Sequence, residues 1–156
     1  MTGKLEDFIK TKLEQLQKLG VDVSKLELDH FAYQTSSAAD FDNLKQEAAL
    51  TGILKREAIV NGRRVAIFEL DEPIRQGNFS ITAFELLEPK QGQVCDSKLD
   101  HIEFVLDVPF QEFIKKHAEV DWDISMIDRE EFPKVAYKFK DGTGLKFHLI
   151  NILNGV

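Results

Sequence analysis

Cysteine is nearly missing from this chain, since Cys95 stands alone among 156 residues. A single thiol excludes an intrachain disulfide, and with it the small disulfide-stapled domains typical of secreted proteins. Long apolar runs are missing too, because none approaches the ~18 residues that a membrane-spanning helix needs. The first residues, Met1 to Asp7, contain no apolar stretch of the kind that directs secretion. We therefore expect a cytoplasmic protein that does not enter a membrane.

Basic residues are also in the minority. The chain has 20 Lys and Arg against 27 Asp and Glu, which gives a formal net charge of −7, and no basic stripe is visible. Nucleic acid and anionic membrane surfaces are therefore not expected as partners, because both require clustered positive charge. With 43% hydrophobic residues and 12 Phe, the composition predicts a globular protein with a core rich in phenyl rings.

Two short segments of the chain recur in the same order. Residues 28–31 (LDHF) return almost unchanged as residues 99–102 (LDHI), and residues 84–87 (FELL) return as residues 147–150 (FHLI). Two coincident echoes indicate a duplicated structural unit. The repeat places His, Glu, His and His at matching positions in the two halves.

The periodicity of apolar residues assigns elements to each half. An amphipathic helix over residues 5–19, ending at Gly20, lies in an N-terminal appendage, residues 1–26. The first module, residues 27–88, then has a strand at 27–34 and a helix that follows Ser36-Ser37 and ends at Gly52. Strands at 53–60 and 63–70, joined by the turn Asn61-Gly62, and a strand at 79–87 complete it. After a linker at 88–97, the second module, residues 99–156, has a strand at 99–106, a helix from Pro109 to 118, and strands near 122–128, 134–140 and 145–152. The predicted fold is α+β, with two βαβββ modules and an extra N-terminal helix in a single domain, residues 1–156.

Strand alternation predicts one apolar and one polar face. The apolar face, expected beneath the helices, carries Phe31, Tyr33, Phe84, Leu86, Ile102, Phe104, Phe147 and Leu149. The opposite face carries His30, Gln34, Glu85, His101, Glu103, Lys146 and His148. A solvated sheet face would also be polar, but three of the four histidines in the chain lie here. A metal or ligand site is therefore favoured over a solvated face.

The chemistry of this polar face depends on which residues bind an ion. Imidazole and carboxylate ligands suit Zn, Ni, Fe(II), Mn or Co, and no thiolate is available to select a softer metal. With His148 as a fourth ligand, an ion with open positions could polarise a carbonyl oxygen. With only His30, Glu85 and His101, a two-histidine, one-carboxylate set would also permit oxygen chemistry at Fe(II).

The remaining polar residues have several candidate roles. Glu103 could be a general base, a ligand or a group that orients a ligand. Lys146 could bind an anionic group of a substrate or could simply be solvated. Gln34 is a candidate substrate-binding residue on the same face.

Several segments together resemble the vicinal oxygen chelate superfamily, which includes glyoxalase I, methylmalonyl-CoA epimerase and extradiol dioxygenases. Within it, LDH at 28–30, NGR at 61–63, FSI at 79–81, LDHIE at 99–103 and LKFH at 145–148 are most similar to the bacterial YecM family. The resemblance implies a glyoxalase-like, paired-sheet half-barrel around a metal cavity, with ligands at His30, Glu85, His101 and His148. Enzymes of the superfamily usually carry Glu on the last strand, where this chain offers His148 or, by the turn register, Lys146.

We therefore expect a divalent-metal-binding protein, with a metal-dependent isomerase or lyase acting on a small oxygen-bearing substrate as the leading hypothesis. A metal-dependent dioxygenase and a non-catalytic metal- or small-molecule-binding module are the alternatives. A partner-binding domain that uses the N-terminal helix is a further one, and a homodimer remains open.

Overall fold

The computed structural model describes residues 2–155 and contains three helices and seven strands. In chain order they are α1 (Thr2–Lys18), β1 (Glu27–Gln34), α2 (Ala38–Ala48), β2 (Gly52–Val60), β3 (Arg63–Gln76), β4 (Phe79–Leu87), β5 (Lys98–Val105), α3 (Phe110–Lys116), β6 (Val135–Lys138) and β7 (Gly144–His148). None of the helices in the described part of the chain is long and apolar enough to cross a membrane.

The seven strands form one mixed sheet in the order β2-β3-β4-β1-β5-β7-β6. At its centre β1 pairs antiparallel with β5, and each of these strands has a parallel partner in its own module, β4 for β1 and β7 for β5. The two modules are therefore related by an approximate twofold axis between β1 and β5. This arrangement confirms the predicted α+β class and the duplication.

The second module is less regular than the first. The strand predicted near 122–128 is wrong, because only an isolated bridge between Asp123 and Ala136 forms there. The Asp123 side chain explains why the pairing stops after this bridge. Its Oδ1 accepts a hydrogen bond from the Ser125 backbone N–H at 2.9 Å, and the resulting turn directs the chain away from the sheet edge. The last strand ends at His148 instead of reaching 152.

Two local signals in the first module were read correctly. The Ser37 side chain caps α2 by accepting a hydrogen bond from the Asp40 N–H at 3.0 Å. Asn61 and Gly62 have φ angles of 53° and 78°, which is the geometry of the tight hairpin turn expected between β2 and β3. Strand β3, however, continues to Gln76 across an irregularity between Glu69 and Ile74.

All three helices lie on one side of the sheet, here called the helix face. Helix α1 buries Leu5, Ile9 and Leu16 in the same apolar cluster as Phe104 and Phe147 of the second module. The N-terminal helix is therefore part of the core. Of the residues predicted beneath the helices, Leu149 is wrongly placed, because it follows the end of β7 and is 42% exposed.

The opposite side, here called the site face, is covered by two segments of the second module. Ile152 and Leu153 of the C-terminal turn (residues 149–155) pack with Phe132 against apolar residues of β1, β3 and β4, namely Ala32, Val65, Ile67, Ala83 and Leu87. Arg56 of β2 holds the loop before β6 by an ion pair to Glu131, with Nη2 and Oε1 2.7 Å apart. The predicted polar face is therefore enclosed.

We expect substitution of Phe104 by Ala to lower the free energy of unfolding by about 3–5 kcal/mol, as is usual for a core phenylalanine. The Phe104 ring has no exposed area and stacks on Phe147, with 5.6 Å between ring centroids. Denaturant unfolding measures the change. The matched control is Leu149→Ala, for which a loss of about 0.5 kcal/mol or less is expected at an exposed position. A similarly small loss at Phe104 would mean that the two faces are assigned backwards.

Candidate metal centre

The sheet brings together three of the predicted ligands. His30 on β1, Glu85 on β4 and His101 on β5 each offer a ligand atom, and these atoms all lie within 4.8 Å of one another. His101 Nε2 lies 3.6 Å from Glu85 Oε1. Both histidines have no exposed area and Glu85 is only 6% exposed. The group therefore forms a buried cluster on the site face of the central strands.

Two β-bulges place a carboxylate beside each of these histidines. In the β1–β5 ladder Leu28 pairs with Phe104 and His30 with Glu103, so Asp29 is an extra residue. On the other side of the twofold axis Asp100 is the extra residue, since Ala32 pairs with His101 and Tyr33 with Leu99. A bulge lets consecutive residues approach the same side of a strand, and each Asp consequently reaches the histidine that follows it.

Each of the two carboxylates lies next to an imidazole Nδ1 atom, and the contact between Asp100 and His101 is a hydrogen bond. His101 Nδ1 lies 2.7 Å from Asp100 Oδ2, and His30 Nδ1 lies 3.2 Å from Asp29 Oδ1. A carboxylate at Nδ1 fixes the ring and leaves Nε2 for a metal ion, which is the usual outer partner of metal-binding histidines. The sequence analysis did not propose a role for either Asp, although the repeated LDH motif contained the signal.

Glu103 breaks the symmetry of the centre. Its Oε1 lies 3.4 Å from His30 Nε2 and 3.4 Å from His101 Nε2. The equivalent residue in the first module is Ala32, because His30 pairs with Glu103 and His101 with Ala32. The second module therefore adds a carboxylate where the first module leaves space for it.

The donor atoms fit a divalent transition metal ion. A tetrahedral zinc ion with bonds of about 2.0–2.2 Å separates its ligand atoms by about 3.3–3.6 Å, which matches the spacings of Glu103 and Glu85 from the imidazoles. Among residues 2–155, several buried side-chain atoms of the cluster have no hydrogen-bond partner, including His30 Nε2, His101 Nε2 and Glu103 Oε1. Buried polar atoms normally have one, so an ion bound between them would supply the missing contact.

Without an ion, protons balance the buried carboxylates. Burial alone would lower the pKa of His30, but the carboxylates of Asp29 and Glu103 outweigh it and raise the pKa to about 10. Burial opposes ionisation of Glu103, yet Lys134, His148 and His30 hold its pKa well below the usual value. The centre thus attracts positive charge strongly, whether as protons or as a metal ion.

His148, the predicted fourth ligand, lies beside His30, with 5.5 Å between the ring centroids, and is not in the group that His30 forms with Glu85 and His101. Its register partner on β5 is Val105, one step beyond Phe104. His148 Nε2 lies 2.9 Å from Asp29 Oδ2, and its Nδ1 lies 3.0 Å from Glu103 Oε2. With Asp29 and His30 it forms a second group whose ligand atoms lie within 4.8 Å of one another. His148 is therefore placed to support Asp29 and Glu103 as well as to contact an ion.

Lys146 occupies the position that mirrors Glu85. Glu85 pairs with Ala32, and Lys146 pairs with Glu103, the equivalent residue across the twofold axis. Burial and neighbouring Lys134 lower the pKa of Lys146, although Glu103 and Glu85 act in the opposite direction. Lys134 was not predicted to belong to the site, yet it is 7% exposed and has its Nζ 3.6 Å from Glu103 Oε1. No motif marks that lysine, because it lies in the irregular loop before β6.

Gln34 holds a neighbouring arginine. Its Oε1 accepts a hydrogen bond from Arg63 Nη1 at 2.9 Å, and its Nε2 donates to the backbone oxygens of Thr35 and Leu87 at 3.0 and 3.3 Å. The Gln34 amide is therefore engaged by the protein, and Arg63 is the cationic group that it positions.

Comparison with known sequences identifies relatives of this chain. A family model described as "YecM protein" matches residues 1–154. Protein YecM of Escherichia coli strain K12 is 28% identical over 106 residues, which make up 68% of this chain and 56% of that protein. An uncharacterized protein of Haemophilus influenzae is 29% identical over 112 residues, 71% of this chain and 56% of that protein. The chain spans about half the length of these curated relatives.

Solved structures share the fold. A structural genomics protein, EC4020, superposes with a TM-score of 0.76 at 23% identity, covering 97% of this chain and 87% of that one. Methylmalonyl-CoA epimerase from Streptomyces coelicolor in complex with 2-nitronate-propionyl-CoA gives a TM-score of 0.55 at 14% identity, covering 78% and 94%. A methylmalonyl-CoA epimerase in complex with methylmalonyl-CoA and NH4+ gives 0.53 at 12% identity, covering 81% and 96%. This likeness confirms the glyoxalase-type, vicinal oxygen chelate fold.

We expect the chain to retain one divalent transition metal ion when purified without chelators, and substitution of both His30 and His101 by Ala to abolish it. Both imidazoles point Nε2 at the same place, so their loss removes two ligands while far-UV circular dichroism remains that of a folded protein. Elemental analysis measures the metal-to-protein ratio. The matched control is His117→Gln, which alters the one histidine outside the cluster. An unchanged ratio in the double variant would contradict the assignment.

Metal binding should strengthen as the pH rises. The pKa of His30 is raised to about 10 in the metal-free protein. Protonation of His30 therefore stabilises the folded metal-free protein fully below about pH 6.5, the pKa of free histidine, and this stabilisation is lost as the pH rises through 10. An ion must displace this proton to bind. The rise in melting temperature caused by added Zn²⁺ should therefore be small at about pH 5 and larger at about pH 7.5 and above. Equal shifts at both pH values would argue against imidazole ligation.

Proposed function

The chain belongs to the YecM family, and from that membership and its ligand geometry we propose that it is a metal-dependent enzyme acting on a small oxygen-bearing molecule. The ion would be held by His30, Glu85 and His101, and the reaction would be a proton transfer beside a carbonyl group, as in an isomerase or lyase. The observation that carries the proposal is the convergence of the Nε2 atoms of both histidines on carboxylate oxygens in a buried cluster.

The metal centre suits this reaction chemically. A divalent ion bound there would polarise a carbonyl oxygen and stabilise the negative charge that develops on it. Asp100 holds the His101 imidazole by a hydrogen bond at Nδ1, so this ligand is oriented before an ion arrives, and Asp29 Oδ1 lies 3.2 Å from His30 Nδ1. Ile152 and Phe132 exclude water from the site face, which strengthens electrostatic interactions in the centre.

Glu103 is the proposed proton acceptor. Its Oε1 lies 3.4 Å from Nε2 of each histidine, and it has no exposed area. The carboxylate would take a proton from the carbon next to a carbonyl and return it to the same or the adjacent carbon, which gives an isomerisation with no other reactant. Its lowered pKa keeps the carboxylate ionised and therefore free of a proton, although it also makes the group a weaker base. The same property also suits a fourth ligand, and the experiment below separates the two roles.

Two lysines favour an anionic substrate. Among residues 2–155, Lys146 Nζ has no carboxylate oxygen within 4.0 Å, and Lys134 Nζ has one such carboxylate, that of Glu103. Ammonium groups in a partly dehydrated site bind anionic oxygen strongly. A carboxylate or thioester-linked acid would therefore place its anionic end towards these lysines and a carbonyl towards the ion. The epimerase neighbours hold acyl-CoA compounds, which supports an oxygen-bearing substrate.

A non-catalytic metal-binding module is the second candidate. It is favoured by the burial of the centre, since His30, His101 and Glu103 have no exposed area and the C-terminal turn covers the site face. In that case the ion would stabilise the junction of the two modules instead of meeting a substrate.

We expect the metal-loaded protein to accelerate exchange of the C–H next to the carbonyl of 2-oxobutyrate or methylmalonyl-CoA with solvent deuterium, followed by ¹H NMR. Glu103→Gln should keep its metal and lose about 10²–10⁴-fold in rate, the usual contribution of a general base. Glu119→Gln, at an exposed position, is the matched control.

Each alternative gives a different result in the same experiment. Loss of metal from Glu103→Gln would make Glu103 a ligand. Full metal content without exchange in the wild-type protein would favour the non-catalytic module. An unchanged rate in Glu103→Gln would remove it as the proton acceptor.

A further inference from the structure

The helix face carries a cavity of about 600 Å³ between α1, α2 and strands β1, β3 and β4. We propose that this cavity, here called the helix-side cavity, binds a small molecule with an alkyl or aryl body and a cationic ammonium end. The proposal goes beyond the proposed function, because the cavity and the metal centre lie on opposite sides of the sheet. The apolar side chains that line it include Phe31, Tyr33, Leu44, Leu70, Phe84 and Leu86.

The floor of the helix-side cavity is aromatic. Phe84 lies between two other rings, stacked on Phe31 with centroids 5.6 Å apart and on Phe68 with centroids 5.0 Å apart. Tyr33 and Phe84 are only half-buried, although they were predicted to lie beneath the helices. The cavity is the reason, because α1 and α2 pack on either side of these rings without covering them. Its volume lies within the range of small-molecule sites, about 300–1,000 Å³.

An irregularity in β3 forms one wall of the cavity. Glu69 pairs with Ala83 and Ile74 with Ile81, so β3 has extra residues between these two pairs. The Asp71 N–H donates a hydrogen bond to the Thr51 oxygen at 3.0 Å, which ties the extra segment to the turn after α2. At that turn a Cβ on Gly52 would lie 2.6 Å from the Glu69 oxygen. The close approach requires glycine and makes this wall a built feature of the fold.

The mouth of the cavity is negatively charged. Glu47, Asp71 and Glu72 line it and are exposed, and no lysine or arginine is among the lining residues. Among residues 2–155, none of these three carboxylates lies within 4.0 Å of a basic group. An apolar cavity with unpaired carboxylates at its opening complements an apolar molecule with a positive end. The same charges disfavour a fatty acid or another apolar anion.

The test compares three probes of one chain length: octylamine, octanol and octanoate. Near pH 7 they carry a positive, a zero and a negative charge, and isothermal titration calorimetry measures their affinities for the full chain. We expect octylamine to bind about tenfold or more tightly than octanoate, which corresponds to about 1.4 kcal/mol or more. Octanol should fall between them.

Two variants locate the binding. Ala48→Trp fills the cavity from α2 and should abolish binding of all three probes. Glu47→Gln, Asp71→Asn and Glu72→Gln combined change only exposed side chains and remove all three carboxylates of the mouth. This triple variant should bring the three affinities to within about threefold of one another, that is within about 0.7 kcal/mol. Glu119→Gln, far along the chain at an exposed position, is the matched control and should bind like the wild-type protein.

Several results of these titrations would contradict the proposal. Equal affinities for octylamine and octanoate in the wild-type protein, no binding of any probe, or a preference that survives the combined Glu47, Asp71 and Glu72 substitutions would overturn the proposal. Binding that requires an added metal ion, or that is lost in the His30 and His101 double variant, would place the probe in the metal centre instead. A negative result for the helix-side cavity is therefore distinguishable from a negative result for the proposed function.

Discussion

The antiparallel pairing of β1 with β5 is the constraint on which the rest of this protein depends. It joins the two modules, brings the repeated histidines to within ligand distance and sets which residue of one module faces which residue of the other. On the helix face, opposite the metal centre, helix α1 packs its buried side chains against apolar residues of the second module. A slip of one residue in this ladder would put His30 and His101 on opposite faces of the sheet and so break up the ligand cluster.

The carboxylates buried in the centre require positive charge beside them. Asp29 and Glu103 are completely buried, and Glu85 nearly so. The pKa values of Asp29 and Asp100 are lowered to about 2 because the attraction of the neighbouring histidines exceeds the cost of burial. Carboxylates that remain ionised in a buried site require a partner charge. Lys134 supplies one such charge, and the imidazoles supply the rest either as protonated groups or as ligands of an ion.

The fold class and three of the candidate ligands could be predicted from the sequence, because the duplicated motif lies in the two strands, β1 and β5, that carry the ligand histidines. The periodicity of apolar residues led to the fold class, and the echoes led to His30, His101 and Glu85. Two kinds of feature were out of reach. The strand predicted near 122–128 has strand-like composition, but the Asp123 turn ends it. Lys134 belongs to the centre because the loop before β6, which contains it, crosses the site face. No local sequence pattern predicts such a long-range contact.

The two bulges have a further consequence for how such a centre arises. Removing Asp29 would leave Leu28 opposite Phe104 and His30 opposite Glu103, which is a regular ladder with every side chain on its present face. Removing Asp100 would likewise leave Leu99 and His101 in regular alternation. Each of these two carboxylates is therefore carried by one extra residue in an otherwise regular strand. A lineage can gain or lose the group that orients a ligand histidine without rebuilding the sheet around it.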